Sequence, residues 1–190
     1  EELRETPVSP VPLHELPILD FRMLRHPDRY QIIDLMTSRG CPFRCNYCLE
    51  EGMRPYAAHP PGWVDRQLDH LKETVPNDRV FVYDPVFGLG RQRTSEICEV
   101  LRRHEFTYAV ESRVDVLAPE LVPDLRDAGV ETIFFGIESG SPDTLLRMNK
   151  LSSTAQASAY LEDGKRVLQS CFANDVTPVM GFMLGFPGDT

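Results

Sequence analysis

Ile32-Ile33-Asp34-Leu35-Met36-Thr37-Ser38-Arg39-Gly40-Cys41-Pro42-Phe43-Arg44-Cys45-Asn46-Tyr47-Cys48 is the stretch from which the fold is read. Its apolar opening predicts a strand that ends near Thr37, and the Gly and Pro that follow predict a loop. The loop carries three cysteines, Cys41, Cys45 and Cys48, spaced C-x-x-x-C-x-x-C, and is expected to curl their thiols towards one point. Three soft thiolates in so short a loop suit an iron–sulfur cluster or zinc. They cannot all pair with one another as disulfides. A closed structural zinc site wants a fourth Cys or His at a recognisable spacing, and the loop offers none. His59, the next histidine, lies in an Ala-Ala-His-Pro-Pro turn without a ligand pattern.

These cysteines, with Tyr47 just before the last, resemble the signature of the radical S-adenosylmethionine superfamily. Ser38-Arg39-Gly40-Cys41-Pro42-Phe43-Arg44-Cys45 is similar to the subgroup that carries an N-terminal cobalamin-binding domain. The resemblance implies that Cys41, Cys45 and Cys48 are metal ligands and catalytic residues. They would hold three irons of a [4Fe–4S] cluster while S-adenosylmethionine chelates the fourth. A three-thiolate site leaves one iron open, as a catalytic metal needs.

The bulk properties set bounds. A chain of 190 residues can build one domain with a sizeable core, and 42% hydrophobic with 26% charged residues is ordinary globular composition. The formal charge of −9 argues against a broad phosphate-binding surface, so nucleic acid is not the expected partner. No apolar run reaches the length of a membrane span. Five cysteines, three of them clustered, fit reduced thiols and a cytoplasmic setting better than a disulfide framework. The start at Glu1 and the closing turn Pro187-Gly188-Asp189-Thr190 suggest a piece of something longer.

Residues 1–30 read as a Pro-rich linker from an upstream domain, with Pro7, Pro10, Pro12 and Pro17 breaking any regular element. Leu16-Pro17-Ile18-Leu19-Asp20-Phe21 could dock on a neighbouring surface, or the segment could be a disordered arm. From residue 31 strands and helices alternate. Strands are expected at residues 32–36, 79–83, 107–111, 131–135 and 179–184. Val64, Leu68, Leu71 and Val75 form one helical face. Further helices run to about His104, from near Leu121 to Gly129, from Ser141-Pro142, and over residues 153–173 with Ala157, Leu161, Leu168 and Cys171 inward. Pro123 implies a late start or a kink, and Asn174 a left-handed stop. Alternating strands and helices mean parallel βαβ units. The fold class is α/β, a partial (β/α)6 barrel of the resembled type, here with five strands and the sixth expected outside residues 31–190.

In such folds the chemistry collects just past the strands. After the second strand stands Asp84, where the resembled family often has a Gly-Gly-Glu that meets the amino group of S-adenosylmethionine; Asp84 could supply that acceptor or merely form a turn before Pro85. The third strand ends in Ser112-Arg113-Val114-Asp115; Arg113 could grip a ligand carboxylate bidentately or pair with Asp115 at the surface. The fourth leads to Gly136-Ile137-Glu138-Ser139-Gly140-Ser141, where Glu138 and the small Ser139 suit ribose hydroxyls. The fifth carries Gly181 and Gly185, costly in a strand unless something must come close to the backbone. The resembled family has such a glycine-spaced strand beside the adenine, which implies Tyr47 as the adenine's ring neighbour and Phe43 as a further cofactor-binding residue of the loop. Cys98 and Cys171 read as buried core thiols, Trp63 as packing, and Met148-Asn149-Lys150 is familiar in the subgroup without a derivable role.

The resemblance implies an enzyme that reductively cleaves S-adenosylmethionine to a 5′-deoxyadenosyl radical, most simply a cobalamin-dependent methyltransferase. A radical cyclase, oxidoreductase or methylthiotransferase is the alternative, and a non-catalytic zinc or iron–sulfur module the rival of another class. Its partners would be a small-molecule or peptide substrate and an electron donor such as flavodoxin or ferredoxin, with cobalamin held by a domain outside this chain.

Overall fold

The computed structural model describes residues 11–50 and 55–189. Five parallel strands form one open sheet: β1 (Ile33–Leu35), β4 (Arg79–Val82), β5 (Thr107–Ser112), β6 (Val130–Glu138) and β7 (Thr177–Phe182), in that spatial order. Sheet order follows chain order, so each crossover adds the next strand on the same side, and the result is the arc of a partial barrel. The connecting helices are α1 (Pro61–Thr74), α2 (Arg91–His104), α3 (Val122–Asp127), α4 (Pro142–Arg147) and α5 (Thr154–Ala173). A small antiparallel ladder, β2 (Ser38–Arg39) with β3 (Ala57–Ala58), lies between β1 and α1.

The core sits between sheet and helices. Ile33, Leu35, Val80, Val82, Tyr108, Val110, Ile133 and Phe135 bury one face of the strands against Val64, Leu68, Leu71, Ile97, Leu101 and Leu125 of the helices. This is the period-2 and period-3.6 pattern meeting at one surface. The other sheet face keeps Asp34, Tyr83 and Phe134 exposed.

The helix signals hold at their starts. Ser141 caps α4 by accepting from the Thr144 amide, and Ser153 caps α5 by accepting from the Gln156 amide. Pro123 falls in the first turn of α3, after a 3-10 turn at Pro119–Leu121, where its missing N–H costs nothing. Gly129 takes φ 91 as the stop.

Several expectations need correction. α5 buries Ala157, Tyr160, Gly164, Val167 and Cys171, while Leu161 and Leu168 are only half-buried, because the inward stripe is turned by one residue. The left-handed residue after α5 is Asp175 (φ 54), not Asn174 (φ −118). β6 runs on through Gly136 and Ile137 to Glu138, past the turn expected after Phe135. β7 begins at Thr177 and ends at Phe182. The Ala-Ala-His-Pro-Pro turn pairs its alanines with Ser38 and Arg39.

Of the first 30 residues, those described dock rather than wander. Trp63 Nε1 donates to the Leu16 carbonyl at 2.9 Å, and Gln67 Nε2 donates to the Leu19 carbonyl at 3.0 Å. Among the described residues no helix is long and apolar enough to cross a membrane.

Candidate active site

The cysteine loop leaves β2 and crosses the C-terminal ends of the strands. It is tied down by the segment after α4. The Asn46 amide N–H donates to the Met148 carbonyl at 3.0 Å, Asn46 Nδ2 to the Arg147 carbonyl at 2.8 Å, and Asn149 Nδ2 to the Arg44 carbonyl at 2.6 Å. Asn149 adopts φ 51, a left-handed conformation that Asn tolerates better than most side chains. The Met148-Asn149-Lys150 string is therefore the clasp that shapes the loop.

Between loop and sheet lies a cleft of about 380 Å³. Cys41, Phe43, Cys45, Tyr47, Cys48, Ser112, Arg113, Glu138 and Gly181 all line it. Cys45 is buried, Cys41 half-buried and Cys48 exposed. Burial pushes the Cys41 thiol up, the neighbouring cysteines adding to it. Among the described residues no three His, Cys, Asp or Glu side chains are gathered closely enough to hold one metal ion, so the thiols rim the cleft rather than meet at a point. A cubane takes each thiolate on a different iron, and such a rim fits it in donor number and kind.

Glu138 ends β6 at φ 68, where the pairing with β7 shifts register. A non-glycine residue there is strained by of order 1 kcal/mol or more. Its carboxylate lies over Gly136, where an added Cβ would come within 2.5 Å of Oε1. Lys150, which sequence reasoning left without a role, reaches in from behind: Nζ lies 3.4 Å from Glu138 Oε1 and 3.3 Å from the Tyr47 hydroxyl. Its side chain is 3% exposed, and burial first, then Arg113, lowers its pKa. Burial likewise raises Tyr47. The sequence signal for Lys150 was its place in the string that clasps the loop.

Arg113 does pair with Asp115, a buried guanidinium meeting an exposed residue's carboxylate: Nε and Nη2 donate to the two carboxylate oxygens at 2.9 and 2.8 Å. Ser112 Oγ donates to the Phe87 carbonyl at 2.7 Å and holds the loop after β4.

Three candidates are not brought to the cleft. Asp84, 2% exposed, turns towards β1, where its oxygens accept from the Thr37 amide (2.6 Å), Thr37 Oγ1 (2.6 Å), the Ser38 amide (2.8 Å) and Ser38 Oγ (2.8 Å). All its accepting capacity serves the entry to the cysteine loop. Ser139 Oγ accepts from the Ser141 amide at 3.1 Å in an exposed turn. Gly185, at φ 77, stands beyond β7 with open space around it.

The profile of the Radical SAM superfamily matches residues 35–190. An uncharacterized methyltransferase of Pyrococcus horikoshii is 26% identical over the whole chain, which covers 42% of that protein. The hopanoid C-2 methylase of Rhodopseudomonas palustris is 25% identical over the whole chain, which covers 35% of it. The chain thus spans less than half the length of these relatives. Among solved structures, the radical S-adenosylmethionine methyltransferase TsrM of Kitasatospora setae, with cobalamin and a [4Fe–4S] cluster bound, superposes with a TM-score of 0.73. The match covers 84% of this chain and 32% of that one at 19% identity, and shows the fold. With its profile match over residues 35–190, the cysteine-rimmed cleft and the open parallel sheet, the chain belongs to the Radical SAM superfamily.

Proposed function

We propose that this chain is the catalytic core of a cobalamin-dependent radical S-adenosylmethionine methyltransferase. The observation that carries the reading is one cleft rimmed by Cys41, Cys45 and Cys48 and closed on the far side by Glu138 and Gly181. When bound, a [4Fe–4S] cluster and S-adenosylmethionine supply one-electron reduction, radical chemistry and a methyl group.

The chain's own residues bind and orient. Cys41, Cys45 and Cys48 would hold the cluster through their thiolates. Glu138 accepts from ribose hydroxyls, and Lys150 holds that carboxylate in place. Gly181 lets a flat base approach the β7 backbone, with Tyr47 as a ring neighbour. Asp84 fixes the entry to the loop from outside the cleft, and Ser112 fixes the β4 loop. Together these groups keep the ligand rigid and the cleft dry, which a radical reaction requires.

The methyltransferase step is supported by the activities for which the relatives are named, and cobalamin by the TsrM structure. Residues 31–190 would form the core, and residues 1–30 a linker from an upstream cobalamin-binding domain. The partners would be a small-molecule or peptide substrate and a cytoplasmic electron donor such as flavodoxin or ferredoxin. The test uses the full-length protein, reconstituted anaerobically and supplied with a strong reductant, with and without cobalamin. Cluster-dependent consumption of S-adenosylmethionine, and tight cobalamin binding, are expected. Consumption without any cobalamin binding would leave a radical enzyme but not this methyltransferase, and no consumption would refute both.

A further inference from the structure

We infer that Arg113 tunes the reduction potential of the cluster that the cysteine loop would carry, instead of gripping a ligand carboxylate. The inference rests on the cluster reading above. The guanidinium is held on every side. Asp115 takes Nε and Nη2 at 2.9 and 2.8 Å, the Lys150 carbonyl accepts from Nη2 at 3.3 Å, and the Phe43 ring lies 3.7 Å from Cζ. The edge of the fork that could clasp a second carboxylate bidentately is therefore occupied. The remaining nitrogen, Nη1, donates to Cys45 Sγ at 3.6 Å.

A fixed cation with an N–H on a ligand sulfur acts in one direction. It withdraws charge from the sulfur and offsets the negative charge added on reduction. Hydrogen bonds to the sulfurs, net charge and solvent exposure are the levers by which a protein sets a cluster's potential. All three meet at Arg113, a residue only 5% exposed beside a buried Cys45. Asp115 works against it: its carboxylate pins the guanidinium and cancels part of its charge. Arg113 is thus a positioning and charge-setting residue that acts through Cys45.

The experiment is the cluster midpoint potential of the full-length, anaerobically reconstituted protein, followed by EPR without S-adenosylmethionine. Arg113→Met, which keeps the stem but not the charge, should retain iron and move the midpoint to more negative potential. Arg113→Lys should fall between Arg113→Met and wild type. Asp115→Asn, whose amide oxygen still accepts from the guanidinium, should move the midpoint the opposite way. An Arg113→Met protein with a full iron complement and the wild-type midpoint overturns the inference. If that variant fails to take up iron, Asp115→Asn decides: a shift to positive potential supports the inference, and no shift or a negative one overturns it. A wild-type protein that assembles no cluster would fell the functional reading itself, whereas a loaded cluster with unmoved midpoints fells only the role of Arg113.

Discussion

Lys150 Nζ lies 3.4 Å from Glu138 Oε1, so the clasp behind the cysteine loop and the last residue of β6 are joined by an ion pair inside the cleft. The side chains are only 3% and 15% exposed, which takes the pair out of the class of surface bridges worth little. Removing one partner leaves the other charge without compensation in a poorly hydrated place. Lys150→Met should therefore lower the unfolding free energy by about 3 kcal/mol in a urea titration. The double variant Lys150→Met/Glu138→Gln should recover most of that loss. Strict additivity of the two single changes would mean that the pair is not coupled.

Glu138 is also the residue proposed to meet ribose hydroxyls. Glu138→Gln keeps the shape and loses the charge-assisted hydrogen bond, worth about 1.5–3 kcal/mol. Affinity for S-adenosylmethionine should fall roughly 10- to 100-fold while iron content stays at the wild-type level. Unchanged affinity in equilibrium binding would remove Glu138 from the ligand.

Asp84 gives the opposite pattern. Its four accepted hydrogen bonds, all from Thr37 and Ser38, hold the chain at the point where β1 hands over to the cysteine loop. Asp84→Ala would leave two buried amide donors unpaired, at a cost of about 1–3 kcal/mol each. A lowered melting temperature with poor iron retention is expected. A stable Asp84→Ala protein that binds iron normally but not S-adenosylmethionine would show instead that the carboxylate serves the ligand.

His59 predicts the acid limb of stability. It is 1% exposed, stacked on Trp63 at 3.7 Å between centroids, and neither ring nitrogen has a hydrogen-bond partner among the described residues. Burial, with Arg39 and Arg93 adding, pushes it down to about 4 from 6.5. A base depressed in the folded state stays neutral there while the unfolded chain takes up its proton. Stability is thus full above pH 6.5 and is lost as pH falls towards 4, by about 2 kcal/mol at pH 5. His59→Phe keeps a ring on Trp63 and should flatten this slope. An equal slope in wild type and variant would place the titrating group elsewhere.

The fold was legible because its signals were local and repeated. Apolar strands alternated with capped amphipathic helices, and Ser141, Ser153 and Gly129 punctuate the chain where they were expected. The misplacements are those that depend on tertiary contact. Residue spacing could not say that the α5 stripe centres on Tyr160, whose hydroxyl is fixed by the Gly136 carbonyl at 2.6 Å. Within the site, the residues that line the cleft were legible from their order after the strands. Position after a strand does not reveal which way a carboxylate turns, so the sequence leaves Asp84 open between the cleft and a local turn. Lys150 stayed without a role because its partners are 12 and 103 residues away in sequence. Such pairings follow from the fold and not from any motif.

Cys41, Cys45 and Cys48 are proposed to hold an iron–sulfur cube with one iron left for the nucleotide. Iron and sulfide analysis of the full-length protein after anaerobic reconstitution, alongside Cys45→Ala, tests it most directly. About four irons and four sulfides per chain with brownish absorption are expected, both lost in Cys45→Ala. Stoichiometric zinc without iron, or a Cys45→Ala protein that still cleaves S-adenosylmethionine reductively, would contradict it.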